Sequence, residues 1–327
     1  MSFTVGRAGM ATLVQDLGRW GHQSRGVTVS EPMDRFSFRV GNIMLGNDEN
    51  DAALEIAFLG PEITFHRESC VVLTGGGLLM KIDGSIAEAW TVHRVTQGSR
   101  LAVDGPSGSQ NRGVRSYLCM SGGIDVPVVM GSRSTFTKGK IGGYKGRALK
   151  TGDIVPIFPP KPLWRKSAGF ICPPEIRPVH ASDEPLHTLD GPQIDAFTDA
   201  GIKTFYKEIY TVTDKIDRMG YRLDGPEIEH KNGADIVSDG IVHGSVQVPG
   251  DGKPIVMMSD RQTTGGYTKI AVVSTWSAAA LAQKMPGEKI RFHRVTKEEA
   301  VRYLIDFGSK LTELDELRAA YRSRQRY

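Results

Sequence analysis

Pro254-Ile255-Val256-Met257-Met258 leads into Ser259-Asp260-Arg261-Gln262-Thr263-Thr264-Gly265-Gly266-Tyr267, and Ile270-Ala271-Val272-Val273 leads away from it. The two apolar runs read as strands. The segment between them is too polar for a strand interior and too varied for a plain turn. Gly265 and Gly266 can reach positive φ or let backbone approach a ligand closely, so the polar groups around them can converge on a bound molecule. The segment alone equally allows a long hairpin loop in which Asp260 and Arg261 pair with each other.

The same punctuation recurs along the chain. Gly (38 residues) and Pro (17) break up other short apolar runs, the pattern of a mostly β protein. Strands are expected at 63–66, 70–74, 79–82, 100–103, 114–120, 154–157, 208–212, 255–258 and 270–273. Their irregular spacing lacks a βαβ rhythm and argues against a Rossmann-type sheet. Within 114–120, Val114, Leu118 and Met120 share one face and Arg115, Tyr117 and Cys119 the other, so this strand can carry function as well as core.

Helices are few. One is expected over 32–45, on the stripe Met33, Phe36, Val40, Ile43 and Met44, with Ser30 as cap and Gly46 as stop. A second is expected over 277–284. A third opens on a capping box, Thr296 with Glu299, and should break or kink at Gly308. The proline-rich stretch reads as a linker over 161–176. It separates a first β-barrel domain (1–160) from a second (177–295), with a C-terminal helix over 296–327. Gly18-Arg19-Trp20-Gly21-His22 echoes Asp217-Arg218-Met219-Gly220-Tyr221, as two β domains born of one duplication would.

At 327 residues the chain exceeds one comfortable domain. Its net charge of +4 is too small and too evenly spread for a nucleic-acid partner. The basic cluster from Arg318 to Arg326 reads as solvating a helix end. Cys70, Cys119 and Cys172, without a CxxC, suit buried thiols in a reducing cytoplasm. No signal core and no apolar run of ~18 residues occurs. A soluble, cytoplasmic chain with neither membrane nor nucleic-acid partner is expected.

Glycine-rich segments follow several strands: Thr74-Gly75-Gly76-Gly77, Ser121-Gly122-Gly123-Ile124 and Thr264-Gly265-Gly266. Such loops can form anion-binding nests, although tight turns explain any one of them and none is a P-loop. In Gly131-Ser132-Arg133-Ser134-Thr135, Arg133 can clamp a carboxylate or phosphate, or simply satisfy loop carbonyls. Asp217-Arg218-Met219-Gly220-Tyr221-Arg222 packs an acid, two arginines and a phenol together. No GxSxG occurs, and His22, His66, His93, His180, His187, His230, His243 and His293 lack HxH or HExxH spacing, so no metal site is expected. Met80-Lys81 lacks the context of a biotin attachment site, and Lys81 reads as an ordinary strand residue.

Taken in order, Val14-Gln15-Asp16-Leu17-Gly18-Arg19, Met33-Asp34, Gly46-Asn47, Ala53-Leu54-Glu55-Ile56 and the segments containing Gly122-Gly123, Ser132-Arg133, Asp217-Arg218 and Asp260-Arg261 form a pattern. It resembles the allophanate hydrolase subunit 2 family, also called the biotin-dependent carboxyltransferase family or the family of the 5-oxoprolinase C component, which includes the antagonist of the Kip kinase inhibitor. The likeness runs from about residue 5 to about residue 295.

The resemblance implies two cyclophilin-like β-barrel domains with a few peripheral helices. It also implies an allophanate hydrolase subunit 1-like partner, a barrel-type third subunit, and ATP shared with those partners, the complex opening 5-oxoproline to glutamate. Two alternatives stay open: a carboxyltransferase component that uses carboxybiotin to carboxylate urea or a related amide, and a non-catalytic regulator binding a kinase-inhibitor-like partner. On the enzymatic reading, Asp260, Arg261 and Arg218 are the expected catalytic residues. Gln262, Thr263, Gly265, Gly266, Tyr267, Asp217, Tyr221, Arg133 and Ser132 are expected to bind the small-molecule amide. Arginines and backbone N–H groups can stabilise charge growing on an amide oxygen, and Asp260 can orient an N–H or accept its proton.

Overall fold

The structure, a computed structural model, describes residues 1–106, 113–179 and 184–325. His180 and Arg326 lie outside the described residues. The chain is 34% strand and 21% helix, a mostly β protein. It forms two compact units: unit one comprises Met1–Arg19, Ser30–Ala181 and Asp306–Tyr327, and unit two comprises Trp20–Val29 and Ser182–Ile305.

Unit one is built on two antiparallel sheets. One runs in the order Ile154–Pro156, Ser2–Arg7, Glu62–Phe65, Arg100–Pro106, Leu78–Ile82, Ser85–Ala87. The other runs Ala11–Gln15, Ala53–Ala57, Arg115–Met120, Ser69–Gly75, His93–Val95. The second sheet is buried on both faces, and period-two alternation sorts its side chains. Val71, Leu73, Leu118 and Met120 join the core shared with Phe3, Ile63 and Val103. Cys70, Val72, Tyr117 and Cys119 face a separate core with helix α1 (Arg35–Leu45). The far face of strand 115–120 is thus core rather than a functional surface.

Asp34, not Ser30, caps α1: its side chain accepts from the Ser37 N–H at 3.0 Å, and Gly46 ends the helix at φ 68°. The expected linker is no linker. Trp164, Phe170, Cys172 and Ile176 are buried in the α1 core, because a stretch with this much apolar surface is better packed than solvated.

Unit two is organised around an eight-stranded sheet among the described residues, in the order Lys289–Ile290, Tyr210–Ile216, Gly220–Asp224, Ile255–Met257, Ser245–Gln247, Lys269–Val273, Leu186–Asp190, Phe292–Arg294. Its first and last strands are consecutive in sequence, separated only by Arg291, so the sheet bends round to become a nearly closed barrel. Helix α2 (Asp199–Lys207), which the sequence pattern does not announce, is capped by Thr198. Helix α3 (Thr275–Ala282) starts two residues before its expected position.

The Thr296/Glu299 capping box forms, with reciprocal hydrogen bonds of 2.7 and 3.2 Å, and opens helix α4 (Lys297–Arg324). The helix continues through Gly308. A single glycine costs only about 1 kcal/mol there, and Leu311 and Leu314 bury themselves in the α1 core. Arg322 does more than solvate a helix end: its Nη2 donates to the Leu45 carbonyl at the C-terminus of α1. Among the described residues, no helix is long and apolar enough to cross a membrane.

Candidate functional site at the rim of unit two

The 259–267 segment has two parts with different physics. Its first part is a buried turn tied to the 217–220 turn by backbone hydrogen bonds, Met258 N–H to Met219 O (2.8 Å) and Asp260 N–H to Arg218 O (2.7 Å). These bring the Arg218 guanidinium onto the Asp260 carboxylate. Nε donates to Oδ2 and Nη2 to Oδ1, both at 3.1 Å, with the residues 9% and 5% exposed. A fork of this kind offsets much of the penalty for burying two charges.

Asp260 therefore pairs with Arg218 rather than with its neighbour. Arg261 turns the other way, Nε donating to the Ile241 carbonyl (3.1 Å) and Nη1 to that of Met258 (3.2 Å). Asp217 accepts the N–H groups of Met219 (2.7 Å) and Gly220 (3.1 Å), which shapes the turn carrying Arg218. Tyr221 is fully buried and donates its hydroxyl to the Ala282 carbonyl, anchoring α3 rather than facing a ligand.

The second part is an exposed ribbon. Thr264–Tyr267 pairs antiparallel with Asp235–Gly240, with Gly265 opposite Asp239 and Gly240 opposite Thr264. Gln262 and Tyr267 are exposed, and the half-buried Thr263 accepts the Ile241 N–H through its carbonyl. Gly265 and Gly266 are extended, so positive φ is not what calls for glycine here. Space is. A Cβ at Gly265 would lie 2.7 Å from Ile241 Cδ1 and 2.9 Å from Gln247 Nε2.

Ser132 and Arg133 belong to unit one and serve another carboxylate. Ser132 Oγ and Arg133 N donate to the two oxygens of buried Asp16, both at 2.5 Å. The Arg133 guanidinium donates to the Val126 carbonyl and lies over the Phe158 ring at 5.0 Å. The guanidinium thus satisfies a loop carbonyl, the second of the two readings, and only the backbone N–H of Arg133 meets a carboxylate.

Ser259, from the quoted segment, is joined at the rim by Gln247, Lys269 and Asp239, which were not expected there. Ser259 Oγ and Gln247 Nε2 are buried and have no hydrogen-bond partner among the described residues. Lys269 is 1% exposed and reaches Asp239 of the ribbon at 3.2 Å. The available signals were a lysine at the head of the apolar 270–273 run and a glutamine inside Val246-Gln247-Val248. Thr28 completes the rim, its hydroxyl donating to the Ser259 carbonyl at 3.1 Å. This is why Trp20–Val29 belongs to unit two although sequence order placed it in the first domain.

The chain thus has two β units, one a nearly closed barrel with a buried arginine–aspartate fork at its rim. The chain belongs to the family described as carboxyltransferase domain, subdomain A and B, which matches residues 25–294. It is 37% identical to the C component of 5-oxoprolinase from Escherichia coli over 298 residues, covering 90% of this chain and 92% of that one. It is 35% identical to the Haemophilus influenzae protein of the same name over 289 residues, covering 88% and 90%. Among solved structures, the urea amidolyase of K. lactis superposes with a TM-score of 0.89 at 29% identity, covering 96% of this chain but 20% of that one.

Proposed function

We propose that this chain is the C-type component of an ATP-dependent 5-oxoprolinase that opens 5-oxoproline to glutamate together with a subunit 1-like partner and a barrel-type third subunit. The observation that carries this reading is the 37% identity to the 5-oxoprolinase C component of Escherichia coli, extending over 92% of that protein.

The rim has the chemistry such a reaction needs. An amide carbonyl resists attack until charge on its oxygen is stabilised, and a buried, pre-oriented guanidinium stabilises such charge strongly. Asp260 holds the Arg218 guanidinium in place through both carboxylate oxygens. It therefore acts first as a positioning group; accepting a proton would require opening that fork. Arg261, braced on Ile241 and Met258, fixes the turn and the start of the ribbon.

The glycine-rich turns of unit one do not fit a nucleotide cradle. Gly76 N–H donates to the Arg115 carbonyl, Gly122 N–H to Asn47 Oδ1 and Gly123 N–H to the Met120 carbonyl. Residues 75–77 do line a cavity of about 590 Å³, but Arg177 in its wall gives Nε to the Cys172 carbonyl. On this reading the partner subunits hold the nucleotide. Lys81 pairs with Asp104 of the neighbouring strand at 3.0 Å.

Co-expression with the two partners, followed by an assay of ATP-dependent glutamate release from 5-oxoproline, tests the proposal. An assembled complex that releases none refutes it. The urea amidolyase superposition favours a second reading, transfer of a carboxyl group from carboxybiotin to an amide. Carboxylation of urea by the chain supplied with a biotinylated carrier would establish it instead.

A further inference from the structure

Beneath the exposed ribbon lies a pair of buried donors that the proposed chemistry leaves unused. Gln247 and Lys269 face each other across two antiparallel strands, Ser245–Gln247 and Lys269–Val273. Gln247 is 2% exposed, and its Nε2 has no partner among the described residues. Gly265 lies over that side together with Ile241: a Cβ built on the glycine would come within 2.9 Å of Nε2 and 2.7 Å of Ile241 Cδ1. The Lys269 side chain is 2% exposed, and its counter-ion, the Asp239 carboxylate at 3.2 Å, belongs to a side chain 53% exposed on the ribbon. Gln193 steadies that aspartate, Nε2 donating to Oδ2 at 3.3 Å.

We propose that Gln247 and Lys269 form a carboxylate-binding site under the ribbon, in which Asp239 stands in for the ligand's carboxylate while the site is empty. A buried ammonium needs an anion, and a buried amide N–H needs an acceptor. The resident aspartate supplies the first need and leaves the second unmet. An entering carboxylate has two oxygens, one for each donor, and so meets both.

The displaced Asp239 gives up its bonds to Lys269 and Gln193 and turns to water on an exposed ribbon, where Val237 is 93% exposed. One ammonium and one amide suit a small monocarboxylate better than a phosphate, which calls for more donors. That the carboxylate is the one on 5-oxoproline rests on the function proposed above; the site itself does not.

Titration calorimetry on the purified full chain, and KM in the assembled complex, test this with 5-oxoproline, with 2-pyrrolidinone (the same ring without the carboxylate) and with glutarate. The carboxylates are expected to bind at least tenfold more tightly than 2-pyrrolidinone. Gln247→Glu, nearly isosteric but anionic, should weaken them tenfold or more, and Asp239→Asn should tighten them severalfold by removing the competitor. Lys269→Met should abolish binding; if that variant fails to fold, the other two, checked by their melting temperatures, carry the test. Unchanged affinity in Gln247→Glu, weaker binding in Asp239→Asn, or no carboxylate binding to either preparation overturns the site. Turnover of 5-oxoproline with an unchanged KM in Gln247→Glu removes the site and leaves the function standing. Glutarate binding that depends on Gln247, without any glutamate release by the complex, does the reverse.

Discussion

Asp16 of unit one and Asp260 of unit two are both buried carboxylates associated with an Arg-x-Gly-aromatic or Arg-x-Gly motif, yet they are satisfied in opposite ways. Asp16 collects neutral donors: the hydroxyls of Ser132 and Ser134 and the N–H groups of Gly18 and Arg133. The nearby Arg19 spends its guanidinium on the Val129 and Ser134 carbonyls. Asp260 instead takes a bidentate arginine, and the same rim leaves Ser259 Oγ and Gln247 Nε2 buried without partners among the described residues. One cluster is closed around its carboxylate and holds loops together. The other holds a guanidinium in a fixed orientation on a buried carboxylate.

The largest test of this contrast removes the closed cluster's centre. Asp16→Ala strands two hydroxyls and two N–H groups, and is expected to destabilise unit one by roughly 3–5 kcal/mol in urea denaturation. A shift below about 1 kcal/mol would show that the cluster does not hold its loops together.

Breaking the fork is next. Arg218→Met, which leaves Asp260 buried and unpaired, should lower stability by about 3 kcal/mol, and the double variant with Asp260→Leu should regain much of it. Neither should restore activity: Asp260→Asn in the assembled complex is expected to reduce turnover at least tenfold, about 1.4 kcal/mol of transition-state stabilisation. Activity within about threefold of wild type takes the pair out of the mechanism and makes the two clusters alike.

Gly265→Ala should have a smaller effect. Its Cβ meets Ile241 and Gln247 at overpacked distances, so a loss of about 1–2 kcal/mol is expected. That loss should appear as faster amide exchange in Asp235–Gly240 and Thr264–Tyr267, with unit one unchanged.

The smallest effect concerns pH. Burial, and next the nearby His293, hold His187 of unit two below its ordinary value of 6.5. Because the folded state disfavours the proton, this contribution to stability is intact above the unfolded value, declines as pH falls below about 6.5, and levels off beneath the folded value. Melting curves from pH 7.5 to 5 should show a modest decline in unit two that His187→Gln lacks. A wild-type profile as flat as the variant's contradicts this.

Legibility in the sequence followed the range of the interaction. The Thr296/Glu299 capping box and the Gly46 stop involve residues one turn apart, and both appear where expected. Strands at 70–74, 114–120, 255–258 and 270–273 were readable from their apolar runs. The cap of α1 went to Asp34 because its carboxylate, not the Ser30 hydroxyl, reaches Ser37. The 161–176 stretch looked like a linker because its prolines stand out in sequence, while the burial of Trp164 and Phe170 depends on helices far from them in the chain.

By itself the amino-acid sequence determined a mostly β chain, its principal turns and caps, its family, and the segment where a site belongs. Only the tertiary structure decided which acid meets which base. Arg218 and Asp260 are 42 residues apart and come together because two turns share backbone hydrogen bonds, while adjacent Arg261 points elsewhere. It also decided that Arg133 is committed within its own loop region, that Gly265 is small for lack of room, and that Gln247 and Lys269 share a buried face. Local patterns record what a residue can do with its neighbours in sequence; partners across a barrel are set by strand register and closure, which no short window of sequence contains.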